Sequence, residues 1–483
     1  MLQNLTNFFS LISSNQVKTS VEPNDLIVLG TRDTRYGGRY KPSAIRACDL
    51  GGGGSGVEVL GSGTCSTYRC AVGNIASGPY SASLGGQCNT AGGTHTIVGG
   101  GLSNCVLGCA GTIAGGTSNI AGVGSGSGCC CLLAGPGVAG IGVDLLLQSC
   151  YTTIGGGINN KSFGTASFVG GGQCNYAEGG FTTVSGGLQN CALGLQSTVS
   201  GGRTNLACGQ NSVVSGGLLN FAMNESATVS GGFQNIAGGT YATVSGGIFN
   251  QTAGNFSVLS GGNENFITAN GFCSTIGGGW RNVINSTGAT ISGGQFNRIQ
   301  NSFACPSAFS VVSGGAYNGV FGGCGISIAG GVYNCVQADL GAISGGYCNT
   351  IPGGGCTSVI SGGCFNTISN VASTITGGCL NLVSNQLSII GGGTLNTISG
   401  FRSVIGTGFC NTVSATSAGI LGGMCNTVAD DCSFIVGSDI TSDRKCTTFV
   451  NNLSIKTIPI ASTGLPSGSV WRCTADNTLR IVP

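Results

Sequence analysis

The chain has 483 residues, of which 94 are glycine, and only 7% of its residues are charged, against about 25% in ordinary soluble domains. A net charge of +2 gives no reason to expect a nucleic-acid partner, and a hydrophobic content of 41% is too high for a disordered glycine-serine linker. A long chain that is rich in glycine, poor in charge and still apolar favours a repetitive β architecture.

Residues 1–60 are predicted to be an N-terminal attachment segment, because they contain the basic run "TRDTRYGGRYK" (31–41) and none of the repeat described below. The first residues have no basic region followed by a continuous apolar stretch, so we expect no signal peptide. No run approaches 18 uninterrupted apolar residues, so we expect no membrane span either.

Residues 61–433 are predicted to be a repeat shaft with an irregular insertion near 120–152. The phrase Ser/Gly-Gly-Gly-x-x-Asn recurs along this segment, and sixteen of its 21 intervals are 15 residues long. The other five intervals are all longer, which is expected if extra residues leave a coil of fixed size. The interval from Asn119 to Asn160 is the longest, and we interpret it as one degenerate coil plus a loop.

Each repeat is predicted to contain two short strands. If the repeated asparagine is position 0, aliphatic residues occupy position −6, Ala, Ile or Val occupies position +2, and small residues occupy position −8. These offsets are all even, so on a strand they point to the same face as the asparagine. The residues at odd offsets vary widely and are predicted to point outward.

The repeated asparagines are therefore predicted to form a buried structural ladder, in which each side-chain amide bonds its neighbours above and below. The predicted ladder residues are Asn175, Asn190, Asn205, Asn220, Asn235, Asn250, Asn265, Asn297, Asn349, Asn381, Asn396, Asn411 and Asn426.

The pattern predicts an all-β fold, a parallel β-solenoid or β-roll of about 22 coils with 15-residue repeats. One aliphatic, one smaller residue and a few polar groups per coil make a thin core. We therefore expect several chains to associate side by side. Residues 434–483 lose the phrase and are predicted to be a C-terminal cap or neck, with Trp471, Arg472 and a hairpin-like "TADNT".

The chain contains 26 cysteines. One interpretation is that they are free thiols used as small apolar residues; the other is that some form disulfides. Cys129, Cys130 and Cys131 are a candidate loop thiol cluster or interchain disulfide. Cys364 and Cys379 share position −2 on consecutive coils, and Cys410 and Cys425 share position −1, which places each pair near disulfide reach.

The phrase V-S-G-G-x-x-N-x-A-x-G at 184–194 and 229–239 resembles the head repeats of trimeric autotransporter adhesins over roughly residues 68–436. The resemblance implies a left-handed parallel β-roll in a homotrimer. Repeats of that family are a residue or so shorter and have A-I-G where this chain has V-S-G-G. We find no secretion signal, coiled-coil stalk or outer-membrane strands, so we do not expect a bacterial autotransporter.

The two ends are similar to segments of virion fibre proteins of phages and large viruses. The stretches that carry this similarity are "DLIVLGTRDTRYGGRYKPSAIRACDL" near the start and "IPIASTGLPSGSVWRCTADNTLRIV" near the end. The similarity implies a virion appendage in which the N-terminal segment contacts other virion proteins.

No enzyme is expected. The one histidine, His95, cannot form a histidine-based metal site, and the 15 carboxylates are scattered. The pair Asp430 and Asp431 is read as a solvated acidic turn rather than a cation site. We expect no metal or cofactor.

The sequence thus predicts a structural fibre or adhesin on a virion surface that self-associates as a homotrimer and contacts a host receptor or glycan. A bacterial cell-surface adhesin is one alternative. An ice-binding or other surface-binding solenoid is another, because an outward row of threonines at position −7 (Thr183, Thr198, Thr228, Thr243) is typical of such proteins; valines such as Val213 interrupt it.

Overall fold

A computed structural model shows a parallel β-solenoid of about 23 turns with roughly 15 residues per turn. The structure describes residues 30–32, 40–42, 58–62, 64–69, 73–122, 149–300, 309–454 and 456–482, and no helix occurs in these ranges. The chain divides into two units, residues 1–293 and 294–483. The fold class is as the repeat predicts. The segment limits proposed at residues 60 and 433 remain predictions.

Unit 1 (residues 1–293) contains two parallel sheets, each built from one short strand per coil. Its first sheet consists of Thr67–Arg69, Ala82–Ser83, Ile97–Val98, Thr112–Ile113, Thr153–Ile154, Phe168–Val169, Thr183–Val184, Thr198–Val199, Val213–Val214, Thr228–Val229, Thr243–Val244, Val258–Leu259, Thr275–Ile276 and Thr290–Ile291. Its second sheet consists of Ile75–Ala76, Thr90–Ala91, Cys105–Val106, Ile120–Ala121, Lys161–Ser162, Tyr176–Ala177, Cys191–Ala192, Leu206–Ala207, Phe221–Ala222, Ile236–Ala237, Gln251–Thr252, Phe266–Ile267 and Val283–Asn285.

Unit 2 (residues 294–483) repeats this arrangement. Its first sheet consists of Val311–Val312, Ser327–Ile328, Ala342–Ile343, Val359–Ile360, Thr374–Ile375, Ile389–Ile390, Val404–Ile405, Gly419–Gly422, Phe434–Val436 and Thr448–Val450. Its second sheet consists of Arg298–Gln300, Gly319–Phe321, Cys335–Val336, Thr350–Ile351, Thr367–Ile368, Leu382–Val383, Thr397–Ile398, Thr412–Val413 and Thr427–Val428.

Among the described residues, antiparallel pairing occurs at three places in addition to the parallel stacks. In unit 1, Gly30–Arg32 pairs with Tyr40–Pro42, and Glu58–Leu60 pairs with Thr67–Arg69. In unit 2, Val470–Arg472 pairs with Leu479–Ile481, which places a hairpin around the "TADNT" stretch.

Backbone hydrogen bonds run from each coil to the next, so no coil is complete alone. Thr228 lies opposite Thr243 in parallel register. The N–H of Thr228 donates to the carbonyl of Ala242 at 2.9 Å, and the N–H of Ser230 donates to that of Val244 at 3.0 Å. A strand of two residues is too short to be stable by itself, and it is held here by identical strands on both sides.

No coil lies in the stack between those of Asn119 and Asn160, because the described strands on either side pair directly; the predicted degenerate coil and loop fall on residues 123–148, which lie outside the described residues. Thr112–Ile113 pairs directly with Thr153–Ile154, and the backbone N–H of Asn160 bonds the Oδ1 atom of Asn119 at 2.9 Å. The coils on either side of the insertion are therefore neighbours in the stack, because nothing intervenes between their strands.

The core of each unit is one narrow column of apolar side chains, with the small residues of position −8 beside it. Val229 at position −6 and Ala237 at position +2 are fully buried in unit 1, while the matching residues of unit 2 are larger, as at Ile375 and Val383. A fully buried Val or Ile contributes about 1.5–3 kcal/mol. The greater volume per coil gives unit 2 the larger apolar contribution.

A second polar ladder lies beside this core in unit 2, at position −8. The Oγ atom of Ser373 accepts the N–H of Ser388 at 3.2 Å and donates to the carbonyl of Asn385 at 3.0 Å. The same pattern links Ser358 to Ser373 and Ser388 to Ser403. Serine at this position is small enough to fit inside the coil, and its hydroxyl also forms hydrogen bonds with buried backbone groups of the stack.

Most described coils have two corners with left-handed backbone geometry at residues other than glycine. In one coil these corners are Gln234 at position −1, with φ of 53°, and Tyr241, with φ of 57°. Their N–H groups bond to the preceding coil, at the carbonyls of Leu218 and Glu225. A left-handed residue costs roughly 1–2 kcal/mol, and this corner geometry persists because the coil below fixes both neighbouring peptides.

Glycine at position −3 is required by the closeness of successive coils. At Gly378 the φ is +88°, and a Cβ atom would lie 2.0 Å from the carbonyl oxygen of Gly393 and 2.7 Å from the Nδ2 atom of Asn381. A Cβ atom at the preceding Gly377 would meet no atom within 4 Å. The two glycines of the repeated phrase therefore have different reasons to be present.

Gly378→Ala should lower the free energy of unfolding by more than about 2 kcal/mol, since it adds a backbone clash to a left-handed conformation. Gly377→Ala is the matched control and should change it by less than about 0.5 kcal/mol. Chemical denaturation of the full chain, followed by circular dichroism, measures both. Equal effects at the two positions would contradict the close-approach argument.

Candidate functional site

The asparagine ladder lies inside the solenoid, and Asn220 shows how its polar groups are used. The Oδ1 atom accepts the backbone N–H of Asn235 at 3.0 Å and its Nδ2 group at 3.2 Å. The Nδ2 group of Asn220 donates to the carbonyls of Gly216 at 2.8 Å and Gly232 at 2.9 Å. Each amide hydrogen and the oxygen therefore has a structural partner, which leaves no group to bind a ligand.

All the asparagines predicted for the ladder are buried, with an exposed fraction of 1% or less. Their main link is between a side chain and the backbone of the next coil, which differs from the amide-to-amide ladder that the sequence suggests. Direct amide contacts are an addition in some coils, as between Asn396 and Asn381 at 3.1 Å. The backbone link is what makes asparagine suitable, because one side chain must accept an N–H and donate to two carbonyls.

The outward rows are the surfaces left for recognition, and unit 2 has an aromatic column along one corner. Phe296, Tyr317 and Tyr333 all occupy position −1 and stack with ring centroids 4.8 Å apart and interplanar angles of 3° and 14°. Tyr347 and Phe365 extend the column with edge-to-face contacts at 5.9 and 5.3 Å. The spacing of the stacked rings is the spacing of strands in a sheet, so the backbone imposes it.

The side chains of this column are only partly covered. Tyr317 is 42% exposed, and Tyr333 and Phe365 are each 47% exposed. The same corner continues with exposed leucines, Leu380 and Leu395. We use the name apolar corner of unit 2 for Tyr317, Tyr333, Phe365, Leu380 and Leu395. Contiguous exposed apolar surface of this kind marks interaction sites in soluble proteins.

Unit 1 has shorter aromatic stacks at its position −9 corner. Tyr80 stacks on His95 with ring centroids 4.9 Å apart, and Tyr241 stacks on Phe256 at 5.0 Å. Phe256 also makes an edge-to-face contact with Phe272 at 5.5 Å. The single histidine of the chain thus lies in an aromatic stack, which is a packing role.

An apolar ridge also lies on the outer side of the second sheet of unit 1. Cys191, Leu206 and Cys208 point away from the core, yet they are buried because neighbouring side chains such as Tyr176 and Phe221 cover them. The odd offsets correctly indicate that Cys191 and Leu206 point outward. They do not indicate that such residues bury one another outside the sheet.

The threonine row at position −7 lies on the outer side of the first sheet of unit 1. Thr183, Thr198, Thr228 and Thr243 are half-buried, and Val213 interrupts the row. The row is therefore a mixed surface of hydroxyl and methyl groups rather than an unbroken threonine face.

Among the described residues, no group of three or more His, Cys, Asp or Glu side chains is placed to hold a metal ion. Asp430 accepts a hydrogen bond from the hydroxyl of Ser442 at 2.8 Å. Asp431 accepts the N–H of Thr416 at 2.9 Å and the Nζ group of Lys445 at 3.2 Å. These two contacts hold the pKa of Asp431 below its usual range. This acidic pair therefore ties neighbouring coils together.

Two of the predicted thiol pairs are brought together in unit 2. Cys364 and Cys379 lie opposite each other in a parallel bridge, and Cys410 and Cys425 occupy equivalent corners; all four are free thiols. Cys129, Cys130 and Cys131 lie outside the described residues.

One disulfide of unit 1 was missed in the sequence, and it joins Cys109 to Cys150 with Cα atoms 4.5 Å apart. Both cysteines occupy position −10, but the long interval between Asn119 and Asn160 obscures the fact that their coils are consecutive in the stack.

No helix in the described part of the chain is long and apolar enough to cross a membrane. Comparison of the chain with protein-family models and with curated protein sequences gives no match. The arguments for function therefore rest on the residues themselves.

Asn220→Asp should lower the free energy of unfolding by about 3 kcal/mol or more. The change removes both donors to the glycine carbonyls and puts a negative charge beside those carbonyls in a buried site.

Asn211→Asp is the matched control, because Asn211 is exposed in a left-handed corner of the same coil and aspartate tolerates that geometry. Its effect should stay within about 0.5 kcal/mol. Urea denaturation of the full chain measures both variants, and an Asn220→Asp variant as stable as the control would contradict a structural role for the ladder.

Proposed function

We propose that this protein is a structural fibre or adhesin that projects from a virion surface, associates as a homotrimer and contacts a host receptor or glycan. The observation that carries the proposal is the division of labour in each coil. The repeated polar groups have all their hydrogen-bond partners inside the solenoid, as at Asn220. The exposed corners instead present rows of large apolar side chains, as at Tyr317 and Tyr333. Such a molecule offers a rigid surface rather than a reaction centre.

Self-association follows from the balance between core and surface. The core contains two inward apolar side chains per coil, at positions −6 and +2, whereas the apolar corner of unit 2 leaves more than two fifths of each of its side chains in water. Covering an exposed aromatic side chain gains about 25 cal/mol for each Å² removed from water. The corner also presents no charged side chain among its five residues, so its burial between copies has no charge desolvation cost.

The virion location is supported by the similarity of the two chain ends to virion fibre proteins. In the described part of the second end, the Arg480 guanidinium lies over the Trp471 ring at 5.8 Å and bonds Asp476. A small closed hairpin of this kind suits a segment that ends a fibre. In this proposal the N-terminal segment contacts other virion proteins, and the outward rows contact the host surface.

Purified protein should sediment as a trimer, at three times the chain mass of 47.5 kDa. Tyr317→Ser combined with Tyr333→Ser should weaken this association at least tenfold, because it removes two stacked rings from the apolar corner. Sedimentation equilibrium measures both proteins.

The matched control is Tyr151→Ser combined with Phe181→Ser, which removes two exposed aromatic side chains from unit 1. This variant should remain a trimer. A monomeric parent protein would refute the trimer, and absence of the protein from the proteome of purified particles would refute the virion location.

A further inference from the structure

Beyond the apolar corner, unit 2 contains cysteines that stand one above another on consecutive coils. The first such pair is Cys364 and Cys379, which lie opposite each other in a parallel bridge at position −2. Their N–H groups bond the carbonyls of Gly378 and Gly393 at 2.9 Å, so the backbone fixes both residues. Both are free thiols and are partly exposed.

The second pair is Cys410 and Cys425, at position −1 of the two consecutive coils that contain Asn411 and Asn426. Both have left-handed backbone geometry, with φ of 58° and 55°, so their side chains leave the stack in the same direction. Both residues are free thiols and are exposed.

The third pair, Cys432 and Cys446, does not follow from the repeated phrase, because the phrase has ended before Cys446. The two residues nevertheless occupy equivalent corners, with φ of 57° and 56°, and their N–H groups bond the preceding coil at Thr416 and Asp431. Both thiols are free and exposed.

The disulfide of unit 1 shows that this backbone accepts a bridge between equivalent corner positions of consecutive coils. Cys109 and Cys150 are joined with their Cα atoms 4.5 Å apart, and the N–H of Tyr151 bonds the carbonyl of Cys109. Parallel strands set neighbouring Cα atoms about 4.8 Å apart, which lies within the range of disulfides.

We propose that these three thiol pairs are sites of inter-coil disulfide formation and that a small-molecule disulfide, such as oxidised glutathione, is the oxidant. In the first step one cysteine thiolate attacks a sulfur of oxidised glutathione, which breaks the S–S bond and releases one glutathione. In the second step the other cysteine attacks the protein sulfur of the mixed disulfide and releases the second glutathione. Two cysteines are oxidised, one disulfide is reduced, and the two thiol protons end on the two glutathione molecules.

These thiols react slowly with such an oxidant at neutral pH. The neighbouring Cys379 thiol and then partial desolvation raise the pKa of Cys364, while partial desolvation and then the partner thiol raise the pKa of Cys425 and of Cys432. A raised pKa leaves less thiolate at neutral pH, and the thiolate is the attacking species. We expect the conversion in an oxidising compartment, where a disulfide oxidant is available.

The test treats the full-length native protein with excess oxidised glutathione at about pH 8.5, where more of each thiol is ionised than at neutral pH. N-ethylmaleimide then blocks the remaining thiols, and unreduced peptides are identified by mass spectrometry. We expect linked peptides for Cys364–Cys379, Cys410–Cys425 and Cys432–Cys446. Cys273, an exposed thiol whose equivalents on the neighbouring coils are Phe256 and Gly288, should carry a glutathione adduct instead.

The matched variant is Cys364→Ser, which should convert Cys379 from an internal disulfide to a glutathione adduct and leave the other two pairs linked. The oxidised parent should also unfold at a higher denaturant concentration than a variant carrying Cys364→Ser, Cys410→Ser and Cys432→Ser. This shift is expected because each bridge closes a loop of 14 or 15 residues in the unfolded chain.

Glutathione adducts on all six cysteines, as on Cys273, would overturn the proposal, and so would the absence of linked peptides. A monomeric protein that still formed the three bridges would refute the trimer alone, so the two proposals are tested separately.

Discussion

The hydrogen bonds of one buried asparagine per coil hold successive coils in register. Asn220 joins three coils at once, since it accepts from Asn235, donates to Gly232 in the coil above and bonds its own backbone N–H to the oxygen of Asn205 below. Because the side chain reaches the carbonyls of the glycine turn, that turn must come very close. The absence of a side chain at position −3 is therefore a consequence of the asparagine.

This dependence explains why so thin a core is sufficient. In an ordinary domain a wide apolar core holds the elements together, but here a single column such as Val184, Val199 and Val214 runs between two sheets of two-residue strands. The asparagine ladder supplies additional links between coils, because amides such as that of Asn220 bond backbone groups of neighbouring coils. At position −8 the serines of unit 2 do the same, whereas the hydroxyls of Ser81, Thr152 and Ser197 in unit 1 have no hydrogen-bond partner. In unit 2, the serine ladder and the larger aliphatic residues act together.

The sequence is sufficient to predict which residues of each coil point into the core, because those residues recur at the same positions in every repeat. Position −6, position +2 and the asparagine recur at even offsets, and the structure places these residues inside as a period of two requires. The outward half could not be predicted in the same way. The contacts of Tyr317 with Phe296 and of Leu206 with Cys191 depend on which residues follow one another along the stack, and no single repeat contains that information. The bridge between Cys109 and Cys150 was hidden for the same reason.

The left-handed corners have a consequence for how such a surface can change. Their geometry is dictated by the peptide groups of the coil below, so positions such as Gln234, Phe249 and Tyr317 share one backbone shape while differing in side chain. A substitution there alters the chemistry at one point of the column and leaves the fold untouched. The chemistry of these outer rows can therefore change one coil at a time, as a linear order of side chains at fixed spacing, while the backbone stays the same.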